Sequence, residues 1–368
     1  MKILIPAIKN SLFDSIPEIR ASAAKALGKL SKGLGLANSI ELLEWLNTNL
    51  HRKDLAASER AGAAQGLSEV VSSHGDNFFS NQCKEIISKA RSQDLPLREA
   101  YRTVMAYLPT SFNNFVNYLK VLLPIMIEGL GDDSEEVRKV SLRNVKICIN
   151  QYGKKAAEML CTPILNMMFH EDSRVRMSSS ILMYQLVKEM ENDIIKSQPK
   201  YIDMQMKYQI LSAMFILKFD PIEKVQTQAA QIWQSFVDAP VHILRMIIQT
   251  LIKMVFENIQ SQHEELQEMG LACMRGLVEK FGERIVNQSL DIFENYLEQA
   301  KDASQTSGIN RVILNMAGAA SYRILSQIKN RLTTIADPFL INEDDVVREL
   351  AADVFLTIFK RLGDATYT

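Results

Sequence analysis

Apolar residues recur along the chain at the three-to-four spacing of an amphipathic helix. Ala23, Ala26, Leu27 and Leu30 show it, as do Val140, Leu142, Val145 and Ile149, and Val354, Phe355, Ile358 and Phe359. That spacing lines up one face of a helix. No stretch sustains the period-two alternation of a half-buried strand, so the pattern predicts an all-α protein. Between the apolar stretches one polar motif keeps returning: a turn that often opens with Asp, then an Arg followed by small residues. It surrounds Arg20, Arg60, Arg98, Arg138 and Arg176, and the series closes with Arg311 and Arg348. Gln226 and Gln267 take the place of Arg in two copies.

The nine anchors, 20, 60, 98, 138, 176, 226, 267, 311 and 348, are 37 to 50 residues apart. A period of about 40 to 47 residues holding two helices is that of HEAT and armadillo repeats. The expected fold is an α-solenoid of about nine HEAT-like helical hairpins, each too small for a core of its own and buried against its neighbours. The 50-residue step from 176 to 226 implies an inter-repeat insertion over 191–205, containing Pro199. It divides repeats 1–5 (1–190) from repeats 6–9 (206–368). The polar stretch Gln299 to Asn310 reads as the turn of the eighth unit. Pro6, Pro124 and Pro163 lie 14, 14 and 13 residues before an anchor, which predicts one helical kink at a fixed place.

Arg in the first turn of a helix opposes the helix dipole, so its recurrence calls for a partner. An Asp six residues earlier stands at Asp14, Asp54, Asp132 and Asp220. The predicted structural ladder therefore joins Asp14, Asp54, Asp132 and Asp220 to Arg20, Arg60, Arg98, Arg138, Arg176, Arg311 and Arg348 as ion pairs between adjacent repeats. Ser15 with Glu18 fits a capping box. Small residues after the anchor, such as Ala61, Gly62, Ala63 and Ala64, would let the second helix approach the next repeat closely.

Composition sharpens this picture. Pro and Gly together make up 25 of 368 residues, about 7% against an average near 12%, too few for many hairpins or tight βα turns. Lys and Arg number 42 against 43 Asp and Glu, which excludes nucleic-acid binding by overall basicity and leaves only a local patch. Cys83, Cys148, Cys161 and Cys273 form no C-x-x-C pair, so neither a zinc framework nor a disulfide scaffold is expected, and a reducing compartment is the default. The longest apolar candidate for a membrane span, Val241 to Ile259, is broken by Arg245, Lys253 and Glu257. The N-terminal run before Pro6 is too short for a signal peptide. A cytosolic location is expected.

Motifs that carry reaction chemistry are missing from the sequence. It has no H-E-x-x-H, G-x-S-x-G, P-loop or G-x-G-x-x-G motif, and its five histidines are scattered. Gly28, Gly33 and Gly35 read as the close of a helix, and Cys161 with His170 as a buried thiol and a surface imidazole. Carboxylate pairs such as Asp132/Asp133 and Asp344/Asp345 read as turn and cap residues. No enzyme activity, cofactor, metal or small-molecule substrate is expected. Two cation clusters, Lys84, Lys89 and Arg91, and Arg323, Lys329 and Arg331, are candidate contacts to a phosphate backbone such as ribosomal RNA. From the residues alone, a nuclear-transport receptor of the karyopherin type and a phosphatase or chromatin scaffold remain open as alternatives.

Several stretches are more specific than the generic repeat. They are Arg20 to Gly28, Ser58 to Val70 with its core Gln65-Gly66-Leu67-Ser68-Glu69, Tyr101 to Phe112 with Tyr107-Leu108-Pro109, Leu123 to Leu130, and Val175 to Leu182. In these the chain resembles the C-terminal third of the very large HEAT-repeat activators of the general amino-acid-control kinase, which phosphorylates translation initiation factor two. The resemblance covers most of the chain, is strongest to about residue 190, and continues through Ala229 to Trp233 and Gly270 to Gly282. The eighth unit departs most. What the resemblance implies is a non-enzymatic, cytoplasmic, ribosome-associated scaffold. Such proteins bind translating ribosomes, especially stalled or collided ones, and relay the signal through the kinase's RWD domain. The family's kinase-contact residue matches no position here, so no site residue is carried over.

Overall fold

A computed structural model describes residues 4–190, 193–196, 198–281, 283–299 and 303–363. These form nine helical hairpins, an all-α solenoid fold without a strand among the described residues. The first four hairpins are α1 (Leu4–Ser11) with α2 (Pro17–Leu34), α3 (Ile40–Leu50) with α4 (Ala57–Ser73), α5 (Asp76–Ala90) with α6 (Leu95–Ser111), and α7 (Leu119–Glu128) with α8 (Glu135–Tyr152). Next come α9 (Ala157–Met167) with α10 (Ser173–Glu189), α11 (Met204–Ile216) with α12 (Glu223–Phe236), and α13 (Pro240–Ile259) with α14 (Glu264–Phe281). The last two are α15 (Glu283–Gln299) with α16 (Ala303–Ala319), and α17 (Tyr322–Ala336) with α18 (Asp345–Leu362). The chain divides into two compact units, one of Met1–Ile164 with Ile181–Glu191, the other of Leu165–Ser180 with Asn192–Thr368.

In the first unit the second helices stack in series, α2 on α4, α4 on α6 and α6 on α8. Small residues after the anchor make this possible. Ala24, Ala63 and Ala64 are fully buried, and a Cβ on Gly62 would lie 1.8 Å from the Leu12 carbonyl oxygen. Any side chain at 62 would push α4 off the first hairpin. Leu27, Leu46, Val70, Phe79, Val104 and Phe115, all at 0% exposure, fill the space between hairpins. Gly35 ends α2 with φ 78°, in the left-handed region that glycine enters without steric cost.

In the second unit α11 packs on α13, and α14, α16 and α18 stack in the same way. Ile210, Leu251, Leu277, Met316 and Val354 are fully buried there. α13, the stretch that Arg245, Lys253 and Glu257 interrupt, buries Leu251, Ile252 and Val255 within this core. No single helix among the described residues is long and apolar enough to cross a membrane.

Two details differ from the sequence reading. α15 runs to Gln299 and α16 begins at Ala303, so most of the polar stretch Gln299–Asn310 is helix and not turn. The stretch contains no proline, and polar residues are compatible with a helix wherever one face remains wet. α2 is capped without the Ser15/Glu18 box: its N-cap is Ile16, Pro17 opens the helix, and Asp14 Oδ1 accepts the Ile16 amide at 2.8 Å. In the long connection between α10 and α11, Asp193–Ile195 forms a 3-10 turn and Asp203 caps α11 by accepting from Met206. Residues 191, 192 and 197 of the expected insertion lie outside the described residues. Pro6, Pro124 and Pro163 lie within α1, α7 and α9, where each removes one backbone donor.

Candidate interaction surface

Eight of the nine anchors occupy one structural position. Arg20, Arg60, Arg98, Arg138, Arg176, Gln226, Gln267 and Arg348 are each the fourth residue of the second helix of a hairpin. From there the guanidinium reaches back, out of the helix, to the carbonyls six and five residues earlier. Arg20 Nη1 donates to Asp14 O (2.8 Å) and Ser15 O (2.9 Å), and Arg138 Nη1 to Asp132 O (2.6 Å) and Asp133 O (2.8 Å). Arg98, Arg176 and Arg348 repeat the pattern, Arg60 reaches Leu55 O, and Gln267 Nε2 takes Ser261 O at 2.6 Å. A cation satisfied by turn carbonyls does not meet the unfavourable end of its own helix dipole.

The residue six before the anchor has its own task. Before seven of the anchors its side chain accepts the backbone N–H two residues on and closes an Asx-type turn, whereas before Arg60 the Ala56 amide goes to Glu59 Oε2. Asp132 accepts from Ser134 (2.9 Å) and Asp220 from Ile222 (2.9 Å). Ser92, His170, Ser261 and Asn342 do the same for Asp94, Asp172, His263 and Asp344. Sequence reasoning singled out only Asp at this position. The signal it needed was a side-chain acceptor of any kind six residues before each anchor.

Among the described residues, two anchor arginines form ion pairs with the next repeat, and in each the Asp belongs to the turn of the following hairpin. Arg98 grips Asp132 with Nε and Nη2 at 2.8 and 3.1 Å. Burial works against charge on Asp132, but the Arg98 hydrogen bonds and the Ser134 amide hold its carboxyl below the usual range. Arg176, with no exposed surface, grips Asp220 at 2.7 and 3.0 Å and adds Glu265 at 2.6 Å. Burial again opposes the charge, and the two carboxylates outweigh it, raising the guanidinium's proton affinity. Asp14 and Arg20 meet through a backbone carbonyl, not as an ion pair. Asp54 is taken by exposed Arg52, and Arg348 by Asp345. Arg311 is the ninth residue of α16, and its Nη1 donates to Gln267 Oε1 at 2.6 Å.

Another buried cation went unnoticed in the sequence. Arg102, 2% exposed, donates to Ala90 O (3.1 Å), at the carbonyl end of α5, and to Ile125 O (2.6 Å). Burial lowers its proton affinity. Asn144 on α8 donates to the Arg102 carbonyl at 2.8 Å, so three helices are tied to α6 at one point.

The candidate phosphate-contacting cations separate into two groups. Lys89 is held by Glu85 and the Tyr101 hydroxyl, Arg91 by Glu128, and Arg331 by Asp291 and Glu294. Lys84 and Arg323 are exposed, and Lys329 is half-buried. Elsewhere α2 exposes Lys25, Lys29 and Lys32 along one face. No carboxylate among the described residues lies within ion-pair reach of these three.

The thiols are shut away. All four cysteines are buried, and burial pushes the thiols of Cys83 to about 11 and of Cys148 and Cys161 to about 12. Thiols so placed stay protonated and unreactive near neutral pH. Ser31 Oγ does lie 2.8 Å from His74 Nε2, but Ser31 is fully buried and its hydroxyl is spent on Ser39 at 2.7 Å. No substrate reaches it.

A HEAT repeat family model matches residues 4–34, the hairpin of α1 and α2. The eIF-2-alpha kinase activator GCN1 of Dictyostelium discoideum is 28% identical over 392 residues, covering 99% of this chain and 14% of that protein. The chain resembles that kinase activator along nearly its whole length. The Saccharomyces cerevisiae GCN1 is 26% identical over 96% of the chain and 14% of its own length, and the human stalled ribosome sensor GCN1 25% over 97% and 14%. The chain thus spans 14% of the length of these GCN1 relatives. Among solved structures, an importin beta matches with TM-score 0.41 and 12% identity, covering 99% of this chain and 49% of that one.

Proposed function

We propose that this chain is a segment of a translational-control scaffold that binds ribosomes and promotes activation of the kinase acting on translation initiation factor 2. The observation that carries the reading is similarity at 25–28% identity over 96–99% of the chain to proteins named as eIF-2-alpha kinase activators and a stalled ribosome sensor. The role is non-enzymatic. Buried thiols, carboxylates committed to turns and caps, and arginines spent on carbonyls support a surface that holds partners in place. The partners are the ribosome, including stalled or collided ones, and the RWD domain of the kinase, in the cytoplasm. Ribosomal RNA would be met by exposed cations such as Lys84 and Arg323, whereas Lys89, Arg91 and Arg331 are occupied by carboxylates.

Sedimentation tests this directly. In lysate at low salt, the protein carrying this chain should run with polysomes and with nuclease-resistant disomes, and its depletion should reduce phosphorylation of initiation factor 2 in amino-acid starvation. A protein that stays at the top of the gradient and leaves that phosphorylation unchanged ends the reading.

A further inference from the structure

Many of the cations are spent: on turn carbonyls, on carboxylates of the next repeat, or on neighbours along their own helix, as Lys139 is on Glu135 and Glu136. The face of α2 breaks that habit. Lys25, Lys29 and Lys32 follow each other at i, i+4 and i+7, all exposed, and their helical neighbours three and four residues away include one another but no Asp or Glu. Like charges at this spacing destabilise a helix. The helix dipole accounts for Lys32, in the last turn, but its reach ends within that turn and does not extend to Lys25.

The stripe continues into a surface shared by four helices of the first unit. A Cβ on Gly28 would lie 2.9 Å from the Glu69 carbonyl oxygen, so α2 and α4 nearly touch there. Glu69 is the one carboxylate among these groups. It is half-buried and accepts from Ser111 of α6 at 3.1 Å. Burial raises its proton affinity against the pull of Ser111, Lys25 and Lys29, and it stays beyond ion-pair distance of both lysines. On α6, Tyr107 lies under Arg143 of α8, whose guanidinium carbon is 5.8 Å from the ring centroid. Arg143 is exposed and has no carboxylate partner among the described residues.

We propose that this face of α2, α4, α6 and α8 is a docking surface for an acidic protein segment, with Lys25, Lys29 and Lys32 as the ion-pairing stripe and Arg143 at its far edge. The stripe runs about 10 Å along α2, the rise of two helical turns, and matches a partner helix carrying carboxylates at the same spacing. Nucleic acid fits less well. Tyr107 is already covered by Arg143 and offers no open ring for a base to stack on. The inference stands apart from the translational reading, since it names the chemistry of the segment and not the protein that carries it.

The test uses the whole chain and a short labelled helical peptide with glutamates at i, i+4 and i+7, followed by fluorescence anisotropy at low salt. An oligo-uridylate of similar length serves as competitor. The triple variant Lys25→Gln, Lys29→Gln, Lys32→Gln should lose about tenfold to a hundredfold in affinity with an unchanged helical circular-dichroism spectrum. Arg143→Gln should lose less, and rising salt should weaken the wild type. Failure of the peptide to bind the wild-type chain, or equal binding by the triple variant, overturns the proposal. So does an oligo-uridylate that binds at least as tightly through the same lysines, because the face would then be a phosphate surface.

Discussion

The turns that open α4 and α6 are consecutive copies of one motif, yet their arginines end in different surroundings. Arg60 and Arg98 are both fourth in their helices and both reach back to turn carbonyls. What differs is the turn one hairpin further on. After Arg98 it opens with Asp132, and the guanidinium gains two charged hydrogen bonds. After Arg60 it opens with Ser92, which closes its own turn but brings no charge. Arg176 extends the contrast, for Asp220 and Glu265 both face it and it is fully buried. One local sequence thus yields a backbone clamp or an inter-repeat pin, and the choice is made 34 or 44 residues downstream.

The largest expected effect is at the deepest pin. Arg176→Ala leaves the Asp220 carboxylate buried with the Ile222 amide as its remaining partner, and should cost about 3–5 kcal/mol in denaturant unfolding. Arg60→Ala, which removes only carbonyl contacts, should cost about 1–2 kcal/mol. Equal losses would erase the distinction between pin and clamp.

Arg98→Ala should fall between them, near 2 kcal/mol at neutral pH, because the Arg98 and Asp132 side chains keep 17% and 10% exposure. This pin also leaves a mark on pH dependence. The carboxyl of Asp132 is held below its ordinary range when folded, so between the two values the unfolded chain binds a proton that the folded chain does not. Its stabilisation is full above the ordinary Asp pKa, about 4, and is lost as pH falls through the depressed folded value. Asp132→Asn should flatten the stability profile in that acid window and nowhere else. A steeper acid limb in Asp132→Asn would reverse the sign assigned here.

Much of this architecture was legible in the chain. The anchor with its small residues marks the start of every second helix except α16, because close packing leaves little choice of residue at 62–64 or 23–24. The partner of the anchor was not legible. An Asp six residues before an Arg looks like its mate, but at that distance the backbone carbonyl is nearer, and the carboxylate is turned to the amide two residues on. The eighth unit failed for a related reason. Its Arg311 matches the period in sequence while occupying a later turn of its helix, so the period puts a turn where α16 runs on. The lysine stripe of α2 is visible as Lys-x3-Lys-x2-Lys, but that it goes unpaired depends on helices 40 and more residues away, Glu69 and Ser111 among them.

The smallest expected effect is also the sharpest test of the comparison. Ser92→Asp should turn the Arg60 clamp into a pin. An Asp at 92 can accept the Asp94 amide as Ser92 does, so the turn itself loses nothing. Arg60 and the start of α6 (Leu95 and Pro96) line the same cleft, which brings the new carboxylate towards the guanidinium. The competing cation that captured Asp54 in the previous turn has no counterpart here, since Arg91 is already held by Glu128. The gain should be about 0.5–1 kcal/mol, the worth of a partly exposed pair, and it should vanish in an Arg60→Ala background. A gain that survives without Arg60 would assign the stabilisation to the turn alone, and no gain at all would mean that pinning requires more of the following turn than the chemistry of its first residue.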